Sequence, residues 1–247
     1  MSRRLIALYV SPWSERAKWA LDHHRLEYQL IHHVPFLGEP RLRRLSQNKT
    51  RPTVPILVDG DRVLTESWDI ARYADEIGAG STLIPPELEA AIRAYQTTAD
   101  AAMGTLRATV VAATLADDEA LDASLPIRPP GPLAALIRPS TRWITRWFAR
   151  KYALDLGARE AQLAVGRATL DGLRAALGPK PEYLLGGRFS YADILMAVLL
   201  QGILPVDDRF WRLPVATRRV WTRPELVPEY GDLFRWRDAL YERHRRP

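Results

Sequence analysis

The dipeptide Asp59-Gly60 stands between two short strand-like runs, residues 54–58 and 62–65. Asp-Gly favours the tight two-residue turn of a β-hairpin, where the backbone twist calls for positive φ. A hairpin brings at least one antiparallel pair, and this argues against a purely parallel, doubly wound sheet. The flanking pattern fills in a small α/β unit. Residues 5–10, LIALYV, are an apolar run of strand length. Ser11 then has the form of an N-cap, with Pro12 at the first helical position. Trp13, Ala17, Ala20 and Leu21 recur at helical spacing and carry a helix to about His24. Residues 27–34 make a second, weaker strand, and residues 38–47, GEPRLRRLSQ, a short basic helix. After the hairpin, Ser67 caps a helix through Ile70, Tyr73, Ala74 and Ile77, stopped by Gly78 and Gly80. The expected order is β-α-β-α-β-β-α.

Beyond LIPPE, residues 83–87, the pattern is helical only. Helices are predicted over 87–115, 158–177, 191–203 and roughly 229–244, the third very apolar. The division follows: an α+β domain over residues 1–78, a linker at 79–86 and an all-helical domain over 87–247. No internal repeat is visible. The 247 residues include no cysteine, which excludes disulfides, thiolate metal sites and a protein-borne thiol nucleophile. No apolar run reaches the ~18 to 20 residues of a membrane span. MSRRLIALYVSPW reads as the approach to a first strand, not as a signal peptide, so a cytoplasmic setting is expected. The net charge of +6 attracts anions. No zinc-finger, RNP or basic-zipper pattern accompanies it, so nucleic acid is not an expected partner.

Three places carry candidate chemistry. Thiol oxidoreductases built on a strand-then-helix turn place Cys-x-x-Cys at such a junction; here it reads Ser11-Pro12-Trp13-Ser14. Ser11 is either a plain helix cap or a hydroxyl at a helix N-terminus able to stabilise a thiolate, which must then come from a ligand. Val54-Pro55 is either an ordinary edge-strand proline or a cis-proline that leaves the backbone of Val54 open to an extended peptide. Glu66-Ser67 is either a helix cap or an anion site, where unpaired N–H groups and a hydroxyl meet a carboxylate.

Together with Arg16, the flanking residues Thr53 and Ile56-Leu57, Ile70 and Tyr73, and a downstream Arg188-Phe189-Ser190-Tyr191-Ala192-Asp193-Ile194, these motifs run in the order and at the separations of a known family. Over nearly the whole chain the sequence resembles the glutathione transferases. The resemblance implies a thioredoxin-like N-terminal domain, an all-α C-terminal domain, a homodimer, and glutathione as co-substrate along the edge strand. It implies that the Val54 backbone pairs with the cysteinyl part and that Glu66 and Ser67 hold the γ-glutamyl end. Ser11 stands where serine-type members carry the activating hydroxyl; Ser14, at the second position of the motif, is the rival. Trp13 either walls the thiol pocket or packs. A free thiol has a pKa of ~8.5. Lowering it by about two units takes only ~2.7 kcal/mol, within reach of one hydroxyl bond and a helix terminus. The thiolate then attacks a hydrophobic electrophile held by the helical domain.

The loop before Val54 departs from the family pattern. Many members carry glycine-lysine there, and Thr53 occupies the usual lysine position; Arg51 or Lys49 is the substitute partner for the glycyl carboxylate. Ser190-x-x-Asp193 reads as a structural capping box. Arg138, Arg142, Arg146 and Arg150 recur every four residues behind a proline-rich lead-in, Pro126 to Pro132, with Trp143 and Trp147 beside them. That segment is read as an amphipathic helix with tryptophans inward and arginines in water, or else as a lid or a surface for acidic lipid or an anionic substrate. The adjacent pairs His23-His24 and His32-His33 diverge on helix and strand alike, so no metal site is expected. Two other functions share this framework: a non-catalytic binding protein, and a glutathione-dependent isomerase, dehalogenase or ether-cleaving enzyme.

Overall fold

The structure, a computed structural model, describes residues 3–46, 50–125, 131–179 and 182–246. It divides into two compact units. One comprises Met1–Thr97, Leu177–Val198 and Ala239–Arg246; the other comprises Thr98–Ala176 and Leu199–Asp238. In chain order the first part supplies β1 (Arg4–Ala7), α1 (Pro12–His23), β2 (Gln29–His32), α2 (Glu39–Leu45), β3 (Ile56–Asp59), β4 (Arg62–Leu64) and α3 (Ser67–Ile77). After a 3-10 turn at Pro86–Leu88 the chain is helical: α4 (Glu89–Ala116), α5 (Asp118–Ala123), α6 (Gly131–Lys151), α7 (Arg159–Leu177), α8 (Tyr191–Leu199), α9 (Val215–Trp221) and α10 (Gly231–His244).

The expected β-α-β-α-β-β-α order holds. The sheet runs β2-β1-β3-β4, with β1 parallel to β2 and antiparallel to β3. The β3–β4 hairpin closes where anticipated, with Asp59 opposite Arg62 and Gly60 at φ 57°. Alternation along the strands splits the core into two layers. Leu5, Ala7 and Leu57 pack with Ala17 and Leu21 of α1 and Ile70, Tyr73 and Ala74 of α3. Ile6, Ile56 and Val58 pack on the other face with Leu42 of α2.

Three expectations are corrected. The strand predicted to reach residue 10 ends at Ala7, because the Leu8 N–H turns to Ser14 Oγ (3.2 Å) and the Leu8 carbonyl accepts from the Ser11 N–H (3.0 Å). Ser67 is not the cap of α3: extended Glu66 is, with no side-chain capping bond, and Ser67 is already the first helical residue. On α6 the tryptophans do not both face inward. Trp143 is 49% exposed, while Arg138 and Arg142 bond to the acids of α5. Residues 126–130 of the proline-rich lead-in lie outside the described residues.

Within the first unit, side-chain acceptors order the irregular segments. The Asp75 carboxylate accepts from the N–H groups of Leu83 and Ile84 (both 2.8 Å) and lies 2.6 Å from His24 Nε2. Asp193 behaves as the capping acid expected, accepting from the Ser190 N–H (2.8 Å), the Ser190 hydroxyl (2.9 Å) and the Leu184 N–H (2.8 Å). Burial pushes the Asp193 carboxyl up to about 6 against those donors.

Candidate active site at one end of the sheet

Strand direction decides which motifs meet. β1 runs into Ser11, and its last antiparallel partner is Ile6 opposite Ile56, so the segment leaving β1 lies beside the one entering β3. That entering segment holds Val54-Pro55. β4 runs antiparallel to β3, with Leu64 opposite Leu57, so its exit into Glu66-Ser67 lies at the same end. Ser11, Val54 and Glu66-Ser67, spread over more than fifty residues of sequence, thus share one end of one sheet. The order of strands, more than any single motif, brings them together.

Ser11 has extended backbone (φ −86°, ψ 121°) and caps α1, its Oγ accepting from the Ser14 N–H at 3.3 Å, with Pro12 following as expected. Among the described residues this is the only hydrogen bond of the Ser11 hydroxyl, and it uses a lone pair. The O–H remains available to donate. Ser14 differs. It is fully buried, and its Oγ accepts from the Leu8 N–H, holding the turn together. Trp13 is half-buried, and the fully buried Arg16 guanidinium lies over its ring, 5.7 Å from the centroid.

The Val54-Pro55 peptide is cis. Among the described residues Val54 forms no backbone hydrogen bond. At α3 the first intrahelical bond runs from the Ile70 N–H to the Glu66 carbonyl (3.0 Å). The N–H groups of Ser67, Trp68 and Asp69 therefore point out of the helix end, where anionic groups are favoured. Ser67 is buried there and Glu66 exposed. Arg51 is exposed in the loop before β3, and Lys49 lies outside the described residues.

Both halves of the chain match one family. Residues 5–82 match the model of the glutathione S-transferase N-terminal domain, and residues 157–239 that of the C-terminal domain. The chain belongs to the glutathione S-transferase family. A probable glutathione S-transferase of Solanum tuberosum is 30% identical over 84 residues, 34% of this chain and 38% of the potato protein. The match spans little more than a third of that relative. A glutathione S-transferase of Ceriporiopsis subvermispora, solved in complex with glutathione, is 17% identical with a TM-score of 0.64, over 100% of this chain and 99% of that one. A beta-etherase of Sphingobium is 19% identical with a TM-score of 0.60, covering 98% and 96%. At such identities the likeness is one of fold.

Sequence reasoning missed one support of this candidate site in the transferase-family chain. Arg245, near the end of the chain, pairs with Glu15 (2.8 Å) and Asp22 (2.5 Å) of α1, and the His244 carbonyl accepts from Trp19 Nε1 (3.0 Å). The helix that carries Ser11 is thereby fastened along its length. Only the basic ending HRRP hints at this in the sequence.

Proposed function

We propose that this chain activates the thiol of glutathione for attack on a hydrophobic electrophile. The observation that carries the reading is the convergence of Ser11, Val54 and Glu66-Ser67 at one end of the sheet, in a chain of this family. In this reading the Val54 backbone pairs with the cysteinyl part of glutathione. Ser67 and the N–H groups opening α3, with Glu66, take the γ-glutamyl end. Arg51 or Lys49 meets the glycyl carboxylate, and Trp13 flanks the thiol. Ser11 donates its O–H to the sulfur, because its capping bond leaves that proton unused. The thiol proton passes to solvent, the thiolate forms a carbon–sulfur bond with the electrophile, and the displaced group departs with its electron pair. Ser14 is passed over because its hydroxyl oxygen is buried and holds Leu8. The homodimer and the cytoplasmic setting belong to the same proposal. An ether-cleaving reaction would use the same thiolate, a chemistry borne by one neighbour in fold. A non-catalytic role is favoured only by Thr53 in the altered loop.

Calorimetric titration with glutathione, wild type beside Ser67→Ala and Ser11→Ala, tests the roles separately. Wild type is expected to bind. Ser67→Ala loses about tenfold in affinity, the value of one hydrogen bond to a charged group. Ser11→Ala still binds, but ultraviolet absorbance of the thiolate shows a thiol pKa raised by about one unit or more. No binding by wild type at millimolar ligand removes the cofactor assignment. Equal thiol pKa values in wild type and Ser11→Ala remove the role of Ser11.

A further inference from the structure

Helix α6 turns an apolar stripe toward solvent. Leu136 is 76% exposed, Trp143 49% and Leu133 47%, and Trp147 is half-buried. On a 3.6-residue period these four fall within an arc of about 80°, which also holds the exposed Ser140 between Leu136 and Trp143. The buried residues Ala134, Thr141 and Ala149 occupy the opposite side of the helix. A surface helix ordinarily keeps its outer face polar, and a contiguous exposed apolar patch marks a surface that meets something else.

The charge beside the stripe indicates what it meets. No acidic residue occurs between Asp122 and Asp155. Arg138 is bound by Asp118 and Asp122, and Arg142 by Asp118, both directed at α5 and away from the stripe. Arg146 and Arg150 are exposed along the edge of the stripe, and among the described residues neither has an ion-pair partner. Lys151 closes the helix. A second copy meeting this face across a two-fold axis would set these same cations against the same face. An anionic layer with an apolar interior complements both features at once: leucine and tryptophan enter, and arginine stems lie along the boundary with their heads at the anionic groups. Among the described residues no helix is long and apolar enough to cross a membrane, so such an association lies on the surface.

We propose that α6 docks this protein on an anionic phospholipid bilayer, with Leu133, Leu136 and Trp143 in the headgroup region and Arg146 and Arg150 at the lipid anions. The test uses the full chain with vesicles of phosphatidylcholine alone or mixed with phosphatidylserine, read by co-sedimentation and by the tryptophan emission maximum. Binding to the mixed vesicles alone, with a blue shift and weakening as salt rises, is expected. An arginine near an anionic surface is worth roughly fivefold, so Arg146→Gln/Arg150→Gln lowers partitioning by roughly 25-fold. Leu136→Ser/Trp143→Ser abolishes the blue shift. All four residues are exposed, and far-ultraviolet circular dichroism and glutathione titration check that the variants keep the wild-type state. Equal or absent binding of wild type to the two vesicle types overturns the proposal. So does wild-type partitioning by a well-folded double-arginine variant. A sedimentation-equilibrium dimer that Leu136→Ser/Trp143→Ser dissociates, without vesicle binding, assigns the face to a second copy instead.

Discussion

Two serines three positions apart illustrate how surroundings assign roles to identical side chains. Ser11 and Ser14 each accept one backbone N–H through the hydroxyl oxygen, yet Ser14 is wholly buried inside the turn while Ser11 stands at the helix end. His244 shows the same dependence in a titratable group. Its ring stacks on Phe189 at 3.9 Å with an interplanar angle of 8°, and its Nε2 lies 3.0 Å from the Tyr183 hydroxyl. That hydroxyl can donate to the nitrogen only while the nitrogen is unprotonated. Burial, with His23 and Arg243 nearby, pushes the imidazole down to about 4. The unfolded chain takes up the proton near the ordinary value of about 6.5, while the folded chain refuses it until about 4. Stability from this group is therefore complete above about 6.5 and is lost as pH falls from there through 4. Denaturant melts at a series of pH values compare wild type with His244→Phe, which retains an aromatic ring against Phe189 but does not titrate. The variant is expected to lose stability less steeply between those limits; parallel curves would show that His244 does not titrate as described.

Helix α1 is held from both ends of the chain. Its N-terminus is set by the Ser11 cap, and Glu15 and Asp22 on its flank are bound by Arg245, whose side chain is only 8% exposed. Removing one partner of a buried pair leaves charge without compensation, which costs about 3–5 kcal/mol. Lys18 still reaches Glu15 at 2.5 Å, so Arg245→Ala is placed at the lower end, about 3 kcal/mol, measured as the shift in urea midpoint. A loss below about 0.5 kcal/mol would mean the clasp contributes nothing beyond a surface pair. Local signals made much of this unit legible. Asp59-Gly60 located the hairpin, Ser11-Pro12 the start of α1, Gly78 the stop of α3, and Ser190 with Asp193 the entry to α8. What failed depended on partners remote in sequence or on which face is covered. Arg245 and Glu15 are 230 positions apart. Periodicity gave α6 two faces but not which one packs, and Trp143 proved to be on the outer one. Ser67 was misplaced by a single residue, because Ser is common at the cap itself and Glu66 uses its extended backbone there without a side-chain bond.

The proposed site residues with described positions, Ser11, Trp13, Ser14, Arg51, Val54, Glu66 and Ser67, all fall in the first compact unit. Glutathione bound there stabilises that unit against unfolding by RT ln(1 + [L]/Kd), with no need for any contact elsewhere. At a concentration one hundred times Kd this is about 2.7 kcal/mol. For a chain of about this length each kcal/mol moves the melting temperature by about 2–4 °C, so a rise of roughly 5–10 °C is expected. The two variants separate binding from activation in the same experiment. Ser11→Ala should keep most of the rise, losing only about threefold in affinity at neutral pH, the linkage cost of raising the bound thiol by about one unit. Ser67→Ala should need about ten times more glutathione for the same rise, matching its loss in affinity. The thermal measurement therefore has to agree with calorimetry residue by residue. If Ser67→Ala melts like wild type across the glutathione series while wild type itself rises, the ligand is bound elsewhere than at the opening of α3, and the end of the sheet is not its site.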